Sequence, residues 1–437
     1  MNRLYALLFA LAVCGNAAAQ LRLPSLNLPP SLGPLDSLRR PVQQLADRVD
    51  LRELPDLRGL RLDTIGRLLR EHPDVLEADP RGEPVLRAQI LAWSPSGAGL
   101  EAAREAGLRV LREERFEDLG QSLVVLGVPA GAATGALLER LRALDPDGHY
   151  DFNHVYTGSG GLGLGAGVPD ASTQAAPAAA ASTGAGARIG LVDSGIDTTH
   201  PALRQAAPRT WGCEGVPHPD AHGTAVAALM VGRDARFHGA LPGAQLFAAD
   251  IYCASPAGGS AAQIAAALGW LARERVGVIN LSLVGPPNQA LERMVAAMIA
   301  RGHLLVAAVG NDGPAAPPLY PASYPGVVGV TAVDRRGQPL PEAARGPQVQ
   351  FAAPGNQMLS ASPGDPAYRP VRGTSFAAPI VAGLLAPALP GPSRQQAREA
   401  VAALARQASG GSTTVSNALG YGIVGADLRI DPKIFSR

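Results

Sequence analysis

The sequence predicts an α/β domain built on a mostly parallel sheet with helices on both faces, preceded by a smaller α+β unit. Three observations predict it. From Arg188 to Ile430, short apolar runs ("RIGLV", "QLFAAD", "VGVINLSLV", "HLLVAAVG", "VVGVTAVD") alternate with alanine-rich helical stretches such as "SAAQIAAALGWLARER" and "NQALERMVAAMIARG". Runs without in–out alternation suit strands buried on both faces, as parallel strands under helices are. Ahead of them, residues 85–157 read strand, helix, strand, strand, helix, strand. Between these regions, residues 158–187 are dominated by Gly, Ala, Ser, Thr and Pro, a composition with too little side chain to build a core.

Taken in chain order, "MNRLYALLFALAVCGNAAAQ" opens with the features of an export signal over residues 1–19. Arg3 supplies the positive end, Leu4 to Val13 the apolar centre, and "AAA" the small residues before a cut at Gln20. The apolar run is too short to span a bilayer, and no other stretch is long enough. Val13 stands where a lipoprotein signal carries a small residue, which argues against a lipid anchor on Cys14. The expected location is therefore secreted or periplasmic.

Residues 20–84 are rich in Leu, Arg and Pro and are expected to be extended, with a helix over "LDTIGRLLREH" at 62–72. Residues 85–157 follow as "VLRAQILAWS", "SGAGLEAAREAG", "LRVLREERFEDL", "QSLVVLGVP", "AATGALLERLRALD" and "GHYDFNHVYTG". Their βαββαβ order is the ferredoxin-like pattern. The linker 158–187 holds a GxGxxG match at Gly158, Gly160 and Gly163, but no helix pattern follows it, so a dinucleotide site is not expected. The α/β domain occupies 188–430, and 431–437 form a short tail.

Composition narrows the function. The 437 residues are 46% hydrophobic and 17% charged with net charge +1, and the positive charge is nearly all arginine, with Lys433 the one lysine. That balance gives no bulk attraction to nucleic acid or to a membrane surface. Removal of the signal takes Cys14 with it. Cys213 and Cys253 are then a pair in an oxidising compartment, where a disulfide is the expected state. Two cysteines alone make a poor metal site, and neither has the surroundings of a nucleophile.

Three polar residues fall at strand ends or helix starts, where α/β sheets gather their chemistry. Asp193 closes "RIGLV", His222 opens the helix in "DAHGTAVAALMVG", and Ser375 opens the helix in "GTSFAAPIVAG". Singly, Asp193 reads equally well as a turn residue, His222 as a helix-start histidine and Ser375 as a cap. Together, in the order Asp, His, Ser, they form a set able to carry nucleophilic catalysis.

With their flanks, these residues resemble the subtilisin family of serine peptidases. The matching pieces, in family order, are "GLVDSGIDTTHPAL", "HGTAVAAL", "INLSLVGP", "AAVGNDGP", "YPASYPGVVGVTAVD", "FAAPG" and "GTSFAAPIVAG". The resemblance implies a subtilisin-like three-layer fold and a serine endopeptidase needing no cofactor. Asp193, His222 and Ser375 become its triad, and Asn311 its oxyanion donor beside the Ser375 backbone N–H. It implies a substrate strand at Ser282, Leu283, Val284 and Gly285, with Ala307, Ala308 and Gly310 on the other wall of the primary pocket. It also implies protein or peptide substrates, and a propeptide at 85–157 that chaperones and inhibits the enzyme and is cut from it within 158–187.

The chain departs from the family at several points. Ala225 replaces a second histidine, Phe376 a Met after the nucleophile, Ile380 a His and Val284 a glycine. Ala202 stands where some members carry a calcium-binding aspartate, so no metal is expected at that site. Asn280-Leu281-Ser282 matches a glycosylation sequon but is read as a buried strand. A degenerate, non-catalytic scaffold would lack a triad member or the oxyanion donor. An esterase would instead carry G-x-S-x-G with the serine ahead of the histidine.

Overall fold

The computed structural model describes residues 57–158, 184–255, 259–409 and 414–430. The expected signal at 1–19, most of the linker and the 431–437 tail lie outside them. Strand β6 (Arg188–Asp193) is an inner strand of a seven-stranded sheet. Its order is β14 (Val349–Pro354), β13 (Val328–Val333), β12 (Leu304–Ala308), β10 (Val278–Leu281), β6, β8 (Gln245–Asp250) and β7 (Arg209–Trp211). Every pairing in it is parallel.

Side chains alternate between the two faces. From β12, Leu304, Val306 and Ala308 enter one apolar cluster and Leu305 and Ala307 the other. The first cluster is covered by the helices Ala221–Val231 and Thr374–Leu385, the second by Ala261–Arg273 and Gln289–Ala300. With both faces buried, strands made mostly of apolar residues are what fits, and this confirms the predicted α/β layering.

The front unit forms an antiparallel sheet in the order β5 (His149–Gly158), β2 (Pro84–Trp93), β4 (Gln121–Gly127) and β3 (Arg109–Phe116). Helices α2 (Gly97–Glu105) and α3 (Thr134–Leu144) connect its strands in the ferredoxin-like order. Two further elements come from the stretch expected to be an extension. Helix α1 (Leu57–Glu71) starts ahead of the predicted 62–72, and the three-residue strand β1 (Leu76–Ala78) pairs with β2. Leu68, Leu69 and Leu76 pack there against Val155 of β5.

We number the large domain's helices α4 (Ala221–Val231), α5 (Ala261–Arg273), α6 (Gln289–Ala300), α7 (Thr374–Leu385) and α8 (Arg394–Ser409). The front unit packs on α5 and α6. Phe116 stacks on Trp93 at 5.7 Å and presses on α5 at Gly269, where a β-carbon would lie 2.4 Å from the Phe116 ring. The glycine costs helix propensity but is what lets the ring approach. Strand β5 also crosses between the domains. Its Tyr156 pairs with Gly259 of the short strand β9 (Gly259–Ser260), and its Thr157 and Gly158 pair antiparallel with Val284 and Leu283 of β11 (Leu283–Val284). Gly158, expected as the first linker residue, is thus the last residue of a strand. Among the described residues no helix is long and apolar enough to cross a membrane.

Candidate active site

The carboxyl ends of β6, β10 and β12 carry the polar groups. Asp193 ends β6 and is 2% exposed, and its Oδ1 accepts the Ser194 N–H at 2.7 Å. The same oxygen lies 2.7 Å from His222 Nδ1, so the neutral imidazole carries its proton on Nδ1 and leaves Nε2 as the basic atom.

Local capping places the histidine. Asp220 is the N-cap of α4, and its Oδ1 accepts the His222 backbone N–H at 2.8 Å and the Ser194 hydroxyl at 2.8 Å. The Ser194 Oγ in turn accepts the Gly223 N–H at 3.0 Å. A β-carbon at Gly223 would lie 2.2 Å from the Ser194 carbonyl oxygen, so only glycine permits this closeness of helix and strand end. Burial works against a charge on His222, but Asp193, by charge and hydrogen bond, and then Asp220 outweigh it and raise its pKa above the ordinary histidine value.

Ser375 is the second residue of α7 and fully buried. The helix starts from Gly373, whose φ of 130° favours glycine. The first turn is tied to its surroundings from two sides. Ser282 Oγ donates to the Ser375 carbonyl at 2.9 Å and accepts Asn280 Nδ2 at 2.9 Å. Asn311 Oδ1 accepts the Thr374 N–H at 3.1 Å, while Thr374 Oγ1 accepts the Gly310 N–H at 3.3 Å. Asn280 is fully buried in β10, as the strand reading of its sequon requires.

Four buried polar atoms of these residues find no hydrogen-bond partner among the described residues: Asp193 Oδ2, Asn280 Oδ1, His222 Nε2 and Asn311 Nδ2. A buried polar group without a partner is costly. Of these, His222 Nε2 and Asn311 Nδ2 are the atoms that a proton transfer and an oxyanion would use. Phe376, next to Ser375, packs its ring 5.5 Å from the His222 ring.

The predicted substrate strand is paired already, because β11 carries Thr157 and Gly158 of the front unit. A β-carbon on Gly158 would lie 3.7 Å from His222 Nε2. Of the other predicted residues, Ala307 and Ala308 are wholly inside the core clusters, whereas Gly310 stands at the strand end, where a β-carbon would lie 3.5 Å from Val284 Cγ1. Cys213 and Cys253 are joined as a disulfide. Among the described residues the one cluster of metal-ligand types is Cys213, Asp250 and Cys253. A disulfide offers no thiolate, so the residues do not fit a metal.

Sequence reasoning missed Asp220, Ser194 and the seated end of β5. Asp220 had a signal, an Asp two residues before His222 at a helix start. The seating of β5 had none.

A parallel α/β sheet with an aspartate at a strand end bonded to a histidine at a helix start, and a serine at a second helix start, defines a class of serine-nucleophile hydrolase folds. The family model described as Peptidase_S8, subtilase family, matches residues 184–422, and the chain belongs to that family. It is 35% identical over 209 residues to M-protease of Shouchella clausii (strain KSM-K16), covering 47% of this chain and 54% of that protein. It is 36% identical over 209 residues to Subtilisin Savinase of Lederbergia lenta, covering 47% of this chain and 76% of that one. The match thus spans about half the length of the first of these relatives. The fold resembles that of fervidolysin from Fervidobacterium pennivorans, a keratinolytic enzyme related to subtilisin. The TM-score is 0.66 at 19% identity, over 81% of this chain and 62% of the other. That share exceeds the family match, so the fold likeness includes part of the front unit.

Proposed function

We propose that this chain is an exported serine endopeptidase made as a precursor that cuts itself, with residues 85–157 acting as an intramolecular chaperone and inhibitor. One observation carries the reading: the front unit's last strand ends against His222, paired antiparallel on the segment predicted to bind substrate. β-strand addition of this kind holds a peptide by its backbone. On this reading the carbonyl that Ser375 attacks is one that directly follows the strand.

The chemistry follows from the groups present. Ser375 Oγ attacks the carbonyl carbon as His222 Nε2 takes the hydroxyl proton. Asp193, through Nδ1, keeps the ring oriented and stabilises its cationic form. Negative charge develops on the carbonyl oxygen, to which Asn311 Nδ2 and the Ser375 N–H donate at the positive end of α7. The C–N bond then breaks, the imidazolium proton passes to the departing amine, and an acyl-enzyme remains. Water, deprotonated by His222, attacks that ester and releases Ser375.

The self-cleavage falls in the run Ser159-Gly160-Gly161, directly after the strand. Replacing Ser375 by Ala is expected to leave only full-length precursor, while the wild type yields a peptidase whose N terminus begins in that run. Wild-type peptidase should label with a fluorophosphonate at Ser375. Normal processing of Ser375→Ala, or a processed protein that takes no label, overturns the reading.

A further inference from the structure

The stretch ahead of residue 85 reads in sequence as a mere extension, yet its helix reaches the large domain. Helix α1 buries one face: Ile65 is 7% exposed, and Leu68 and Leu69 pack against Leu76 and Val155. Arg61 lies four residues before Ile65 and seven before Leu68. Helical spacing therefore puts it on that same inward face, two turns from Leu68.

There the guanidinium sits between two carboxylates. Arg61 Nη2 donates to Glu83 Oε2 at 2.9 Å, and Arg61 Nε lies 3.3 Å from Asp312 Oδ2. Side-chain exposure is only 16% for Arg61 and Asp312 and 24% for Glu83, so water screens these charges less than it does a surface pair. Glu83 is fixed by the turn before β2, where Asp79 Oδ1 accepts the N–H groups of Arg81 at 2.8 Å and Glu83 at 2.9 Å. Asp312 belongs to the large domain and directly follows Asn311. Burial works to raise the Asp312 pKa above the ordinary carboxyl value, Arg61 opposes this, and the Glu83 charge adds to it. Glu83 and Asp312 thus repel one another, and Arg61 is the charge that holds them together.

We propose that α1 is a charge-bridged clamp: Arg61, carried ahead of the ferredoxin-like unit, ties Glu83 to Asp312 and holds the cleaved front unit on the peptidase. The inference rests on the self-processing reading above and extends the inhibitor back to residue 57. It also makes release depend on one side chain. Without the guanidinium, two carboxylates face each other across the boundary between the front unit and the large domain, and like charges set together there oppose association.

The test uses the full active chain. Cleavage is followed on gels and activity with a fluorogenic peptide, and the lag between them measures how long the cut front unit stays docked. Arg61→Ala is expected to leave the rate of cleavage unchanged and to shorten the lag about 3- to 10-fold. Arg61→Glu, which sets three carboxylates together, shortens it further. Residue 61 leaves with the front unit, so the released peptidases have one sequence and must share kcat and KM. Adding Glu83→Gln to Arg61→Ala removes the repulsion and restores part of the lag. An unchanged lag in Arg61→Ala overturns the proposal, as does a double variant whose lag is no longer than that of Arg61→Ala alone. Arg61→Gln, uncharged and of similar reach, repeats the measurement if Arg61→Ala does not process. Failure of both to process would make Arg61 a folding residue and also overturns the clamp. A chain that is cut and labelled by a fluorophosphonate, with a lag that ignores residue 61, disproves the clamp alone. One that is never cut and takes no label disproves the peptidase reading, and the clamp with it.

Discussion

The Thr374 backbone N–H donates to Asn311 Oδ1 at 3.1 Å, and this bond decides which end of the Asn311 amide is oxygen. Nδ2 is left as the outward donor, buried and unpaired. A donor held in place before the reaction costs no reorganisation when charge develops on the substrate oxygen. Asn311→Leu is therefore expected to lower kcat by about 10²–10³-fold with little change in KM. Steady-state kinetics on a peptide substrate checks it, and an equal loss through KM alone would assign Asn311 to ground-state binding.

Asp220 both caps α4 and adds to the field that raises the His222 pKa. A raised pKa means His222 keeps its proton to higher pH, so activity is low below that pKa and rises as pH passes through it. Asp220→Asn keeps a capping oxygen but removes the charge. The acid limb of the kcat/KM–pH profile should move to lower pH in the variant, and an unmoved limb would show that Asp193 alone sets it.

How much of this could be read from residues alone depended on how local the signal was. The strand Leu304–Ala308 was legible because burial on both faces leaves no polar positions. The polar groups at Asp193, His222 and Ser375 were legible because each sits in a short run of unusual neighbours. Gly158 was not legible, since a glycine beside a Gly-rich segment reads as linker, and only pairing with the distant Leu283 makes it a strand. Strand Leu76–Ala78 escaped for the same reason, being three residues long and formed through its partner β2. The contact of Arg61 with both Glu83 and Asp312 is likewise invisible until α1 is placed.

The Cys213–Cys253 bridge, spanning 40 residues, fastens the segment that leaves β8 and leads to β9, one wall of the strand β5 occupies. A closed loop of that length contributes about 4 kcal/mol by restricting the unfolded chain. Reduction, or paired Cys213→Ser and Cys253→Ser, should lower the Tm of the mature enzyme by roughly 10 °C. Calorimetry with and without reductant measures it, and a Tm shift of under ~2 °C would mean the staple adds little to the fold.

Strand β5 also caps the helices on which the front unit rests. Asp151 Oδ2 accepts the N–H of Gln289, the first residue of α6, at 2.7 Å, and Asn153 Oδ1 accepts the N–H of Ala262 in α5 at 3.1 Å. Helix starts leave several N–H groups unpaired, so in each case the front unit completes a hydrogen-bond set that the large domain begins with Asn288 and Ser260. Asp151→Ala and Asn153→Ala should each cost about 0.5–2 kcal/mol, read as a lower urea midpoint of the full-length Ser375→Ala precursor. The same changes in the active chain should bring on peptidase activity sooner, because the cleaved front unit is held less tightly. A lower midpoint without earlier activity would mean that these caps support folding of the precursor and do not govern release.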